Sequence, residues 1–78
     1  MPVKKLWLII SFFNVTEALR AEKLFAAAGI GGLLIPTPRS LSASCGLCWR
    51  TEIRERPAIE AHLAAHRLQA ESVTEILM

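Results

Sequence analysis

Residues 6–17 read LWLIISFFNVTE. From Leu6 to Phe13 the run is apolar at every position but Ser11, and it breaks at Asn14. Two readings compete, a secretory signal and a buried strand. Lys4 and Lys5 precede the run, and Ala26-Ala27-Ala28 has the look of a small-residue cleavage site, which is how a signal peptide is laid out. Glu17, Arg20, Glu22 and Lys23 lie between the two, however, and put a charged helical segment where a signal would stay apolar. The run also falls well short of the ~20 residues needed to cross a bilayer. We therefore read 6–13 as a central strand covered on both faces. Asn14 follows as a helix N-cap, and Glu17 stands where it would close a capping box.

The remaining elements follow outward from that strand. Ala18, Ala21, Phe25 and Ala28 share one helical stripe while Arg20, Glu22 and Lys23 lie off it, which predicts a helix over 15–28 ended by Gly29. Leu33, Leu34 and Ile35 predict a short strand over 32–37, confined to a sheet edge or stopped by Pro36 and Pro38. From Leu47 the chain alternates. Leu47, Trp49, Thr51 and Ile53 form a packed face, and Cys48, Arg50, Glu52 and Arg54 an exposed polar one. Pro57 opens a second helix reaching Arg67, with Ile59, Leu63 and His66 inward and His66 and Arg67 complementing its dipole. A last strand covers 72–77. This order predicts a ferredoxin-like βαββαβ sandwich of the α/β (α+β) class. Its four-stranded antiparallel sheet should have strand order 4-1-3-2, with two helices on one face. Trp7 and Ile9 then point to the helix-free face, where we expect a homodimer through the open sheet face or cover from the C-terminal residues.

The 78 residues make one domain, 1–78, and a domain this small buries only about two-thirds of its unfolded surface. At 53% hydrophobic against 21% charged, the chain is richer in apolar residues than most soluble domains, in keeping with a face covered by a second chain. The net charge of +2 comes from scattered Lys and Arg, so neither nucleic acid nor a membrane is an expected partner. A cytoplasmic location follows from rejecting the signal. There a cysteine pair is more often reactive or metal-bound than a permanent disulfide.

Both cysteines fall in residues 36–50, PTPRSLSASCGLCWR. The spacing Cys45-x-x-Cys48 serves redox, metal and persulfide chemistry alike. Gly46 lets backbone approach closely and lets successive amides converge on an anion. Arg39 is the nearest cation in sequence, and cations or donors raise the thiolate fraction of a thiol that otherwise titrates near ~8.5. Cys48 opens a strand and reads equally well as a small core side chain. A thioredoxin-type site needs a helix starting at the first cysteine, and the alternation after Cys45 denies it one. Cys45, Cys48, His62 and His66 match the spacing of a Cys2His2 zinc site. Against zinc, the strand parity that buries Trp49 turns Cys48 away from a helix on that face. No phosphate-binding glycine loop, paired catalytic carboxylates or Ser-His-Asp order is present, and no cofactor is expected. Nothing in these residues supports a self-contained enzyme.

The stretch Pro36-x-Pro38-Arg39-Ser40-Leu41-Ser42-x-Ser44-Cys45-Gly46 resembles the signature of the selenium/sulfur (Se/S) carrier protein-like family. The helix from Ala18 to Leu24, its exit at Ala28-Gly29-Ile30, and Arg50 are similar to that family as well. The resemblance implies a small cytosolic protein carrying sulfur or selenium on Cys45 between donor and acceptor proteins. Arg39, Ser44 and Gly46 would be the anion-binding or thiolate-stabilising groups. Cys48 departs from the family pattern and is either a resolving thiol or incidental. Two other classes stay open on the residues alone, an interaction or regulatory module without chemistry and a zinc-binding module.

Overall fold

The structure, a computed structural model, describes residues 3–41, 43–44 and 46–78. Its elements are β1 (Leu6–Phe12), α1 (Val15–Ala27), β2 (Leu33–Pro36), β3 (Leu47–Glu52), a 3₁₀ turn (Ile53–Glu55), α2 (Arg56–Ala65) and β4 (Ala70–Leu77). One antiparallel sheet has the order β2-β3-β1-β4, so the expected 4-1-3-2 arrangement is present. Phe25 from α1 and Ile59 from α2 join Leu8, Ile10, Phe12 and Trp49 in a single core, which puts both helices on one face. The fold is an α+β sandwich of ferredoxin-like form.

The signals at the ends of α1 act largely as their chemistry dictates. Asn14 is extended, and its Oδ1 accepts the Glu17 N–H at 2.9 Å. In place of the other half of the capping box, the Glu17 carboxylate makes one long-range and one local contact. Glu17 Oε2 accepts from the Gln69 N–H at 3.4 Å and lies 3.7 Å from Arg20. At the C-terminus Ile30 N–H donates to Phe25 O, Gly29 N–H to Ala26 O, and Gly29 sits at φ +76, the bonding of a Schellman cap. Ala28 belongs to the cap and is exposed, not inward as the stripe suggested.

α2 repeats this ending with a residue that strains it. Leu68 N–H donates to Leu63 O and Arg67 N–H to Ala64 O, with Arg67 at φ +53. His66 is the exposed C-cap and does not face inward, and its carbonyl is capped from α1 by Arg20 Nη2 at 2.8 Å. A side chain in the left-handed region costs roughly 1–2 kcal/mol. Arg67→Gly should therefore be more stable than Arg67→Ala by about 1 kcal/mol, since both lose the charge and only one relieves the strain. Equal urea midpoints for the two variants would refute this.

Three further boundaries differ from the sequence expectation. β3 ends at Glu52, because Ile53 turns into the 3₁₀ segment leading to α2. Phe13 lies beyond β1 and is half exposed. β4 begins two residues early, pairing Ala70 with Phe12 across a bulge.

The helix-free face is also less open than alternation implied. Ile9, Ser11 and Cys48 on that face are fully buried within the single chain. Trp7 is half-buried, and its indole N–H donates to the Met78 carbonyl at 3.2 Å, so C-terminal residues do reach it.

Candidate functional site

The segment 37–46 leaves edge strand β2 and returns to β3 beside it. Its base is closed by Thr37 N–H donating to Gly46 O at 3.0 Å, and Leu41 N–H donates to Pro38 O to form a tight turn within it. Glu71 reaches in from the opposite edge strand. One carboxylate oxygen accepts the Ser44 N–H at 2.8 Å and the other accepts the Ser44 hydroxyl at 2.7 Å. The segment is thereby tied to both edges of the sheet.

On the helix-free face of the sheet lies a set of small polar side chains. Cys48 pairs in register with Ser11 on β1 and Ile35 on β2. Its Sγ lies 3.3 Å from Thr37 Oγ1, at hydrogen-bonding distance for sulfur. The Ser11 and Ser72 hydroxyls bond each other at 2.5 Å on the same face. The expectation of an exposed polar face for β3 therefore fails at Cys48, which is wholly inaccessible.

Of the expected site residues, Cys45 lies outside the described residues. Arg39 is exposed on the segment, Ser44 is held by Glu71, and Gly46 is exposed at the closing hydrogen bond. A Cβ built on Gly46 meets no described atom within 4 Å. The Ser44 amide, one of the donors expected for an anion, is committed to a carboxylate of this chain.

Glu71 and Thr37 were not singled out by the sequence reading. Glu71 lies 27 positions from Ser44, and no local pattern announces a bond across that separation. The carboxyl of Glu71 is held below the ordinary glutamate range, first by the Ser44 hydroxyl and then by the Ser44 amide. The sign of the pH dependence follows from that depression. The clamp is fully present above the usual carboxylate pKa and is lost as pH falls through the lowered one. We expect the Ser44 amide proton shift to titrate with a midpoint below that of an ordinary glutamate, and to stop titrating in Glu71→Gln. A Ser44 shift that moves identically in Glu71→Gln would disprove the clamp's role.

The zinc arrangement is not assembled from its described members. Cys48 faces away from the helices, whereas His62 sits on α2 with its ring 5.7 Å from that of His66 and Nδ1 2.9 Å from Ala58 O. The sheet separates the sulfur from both imidazoles. Among the described residues no cluster of three or more His, Cys, Asp or Glu side chains could hold a metal ion.

The family described as "Putative Se/S carrier protein-like" matches residues 8–75. The chain belongs to that family. The match runs from within β1 to within β4 and takes in the whole 37–46 segment, so the resemblance of the Pro-Arg-Ser to Ser-Cys-Gly stretch stands on a match over nearly the full domain. Neither a curated protein nor a solved structure matches the chain. No helix of this family member, among the described residues, is long and apolar enough to cross a membrane.

Proposed function

We propose that this protein is a sulfur or selenium carrier of the cytosol, holding the atom on Cys45 between a donor and an acceptor protein. Family membership supports the cargo class. The observation that carries the reading is the anchoring on either side of position 45. Ser44 is gripped at two atoms by Glu71, and Gly46 is bonded to Thr37. A segment tied on both sides of one residue suits the presentation of that residue to a partner, and it limits the entropy lost on docking.

Loading is a thiol exchange. The Cys45 thiolate attacks the outer sulfur of a donor persulfide, R–S–SH. A new S–S bond forms, the donor's S–S bond breaks, and the donor leaves as R–S⁻ with Cys45 left as Cys45–S–SH. A perselenide gives Cys45–S–SeH in the same way. Delivery repeats the step with an acceptor thiolate. In a second route the Cys48 thiolate attacks Cys45 Sγ, forms a Cys45–Cys48 disulfide and expels HS⁻, after which a dithiol reductant restores both thiols. Cys48 is buried from solvent, so an external thiol does not reach it in the folded chain. Arg39, exposed on the segment, supplies a cation for the incoming anionic sulfur.

Intact mass tests the reading. Incubated with a small persulfide donor and without reductant, the protein should gain ~32 Da per sulfur, or ~80 Da for selenium, and lose it to a dithiol. A mass that never changes would end the proposal.

A further inference from the structure

A second site lies on the helix-free face at the other end of the sheet, roughly 17 Å along β3 from Leu47 by strand rise. A cavity of about 330 Å³ opens there among Trp7, Leu33, Arg50, Glu52 and Arg54, with the Gly31-Gly32 backbone at its rim. Leu33 and Arg50 are register partners, as are Trp7 and Glu52, so these side chains share one face.

The charges at this site do not balance. Glu52 is its acid, and both carboxylate oxygens are already bonded by Lys5 Nζ, at 2.9 and 2.7 Å. Neither Arg50 nor Arg54 has an ion-pair partner among the described residues. Arg50 is also pre-oriented, with its guanidinium stacked 4.4 Å from the centre of the Trp7 ring. Its Nε is buried with no hydrogen-bond partner among the described residues. A guanidinium fixed by its face holds its terminal nitrogens in a set direction, which fits a ligand presenting two oxygens side by side.

We propose that this cavity binds a small organic phosphate, with Arg50 as the bidentate anchor and Arg54 as the second cation. Lys5, Arg50 and Arg54 against Glu52 leave a net charge of +2, which matches the −1.5 to −2 carried by a phosphate monoester near pH 7 better than the single charge of a carboxylate. Half-exposed Leu33 and the Trp7 edge offer an apolar wall for the organic part. The site is independent of Cys45 and of the carrier reading.

The test is an NMR titration of the ¹⁵N-labelled protein with phenyl phosphate, inorganic phosphate and benzoate. Phenyl phosphate should shift the Gly31 and Gly32 amides and the Trp7 indole N–H to saturation. Inorganic phosphate should shift the same signals more weakly, and benzoate should bind about tenfold less tightly than phenyl phosphate. Arg50→Lys, which keeps the charge and loses the fork, should weaken phenyl phosphate about tenfold. Arg54→Ala, at an exposed position, should weaken it about threefold. Unchanged affinity in both variants, shifts centred on the 37–46 segment, or benzoate binding as tightly as the phosphate would each overturn the proposal. Equal affinity for inorganic phosphate would overturn the assignment to an ester.

Discussion

Cys45→Ser, treated with a persulfide donor, is expected to gain no sulfur, whereas Cys48→Ser is expected to load as the unsubstituted protein does. A serine hydroxyl offers no thiolate near neutral pH, and exchange at sulfur proceeds only through the thiolate. Cys48 cannot substitute for it, because its sulfur is fully buried against the sheet at hydrogen-bonding distance from Thr37. The Cys48→Ser hydroxyl should keep that bond and leave the fold intact. If Cys48 resolves the persulfide, its removal slows sulfide release and leaves loading unaffected. Loss of loading in Cys48→Ser with retention in Cys45→Ser would reverse the roles assigned to the two thiols. Arg39→Ala should slow alkylation of Cys45 if the guanidinium assists the thiolate. An unchanged rate would make Arg39 a solvated side chain.

Gly32→Ala is expected to be the most damaging single-methyl change in the fold. Gly32 sits at φ +154, which side chains rarely adopt, where β2 enters the sheet. A Cβ there would lie 2.5 Å from the Arg50 carbonyl oxygen and 2.8 Å from two atoms of the Trp49 ring. The first of these is backbone in the middle of β3, and Trp49 is buried against Phe25 at a ring separation of 5.5 Å, so neither can simply swing aside. We expect a loss of about 3 kcal/mol, from strain and overpacking together. For a domain of this size that lowers the melting temperature by roughly 15 °C. Gly31→Ala is the matched control. Its Cβ meets no described atom within 4 Å and its φ is not positive, so it should cost no more than about 0.5 kcal/mol. Near-equal melting temperatures for the two alanine variants would refute the close approach at Gly32.

Much of the fold was legible because its signals are local. The β1 run, the Asn14 cap, the Gly29 exit and the β3 alternation each depend on a few adjacent residues, and helix and strand periods separate them cleanly. The reading erred where a local period was extended past a cap or a turn. Ala28 and His66 both continue a helical stripe on paper, but each is a C-cap whose successor is left-handed. Ile53 continues the β3 alternation in sequence, but the chain has already turned toward α2. The candidate site was legible as a motif of residue types. The Glu71 clamp was not, since it joins a loop to a strand that becomes its neighbour only after β4 adds to the sheet edge.

The sequence by itself determined the order of elements, the strand order and the family, because periodicity, caps and a contiguous signature are carried by neighbouring residues. Tertiary structure decided what each polar side chain faces. Cys48 alternates with core residues and reads as exposed, but it is fully buried in the folded chain, with its sulfur 3.3 Å from Thr37 Oγ1. Arg50 lies two residues further along the same face. Its Nε has no hydrogen-bond partner among the described residues, and the neighbouring acid, Glu52, is bonded by Lys5, 47 positions away in the chain. Burial and charge compensation depend on groups far apart in the chain, so only the assembled sheet fixes them.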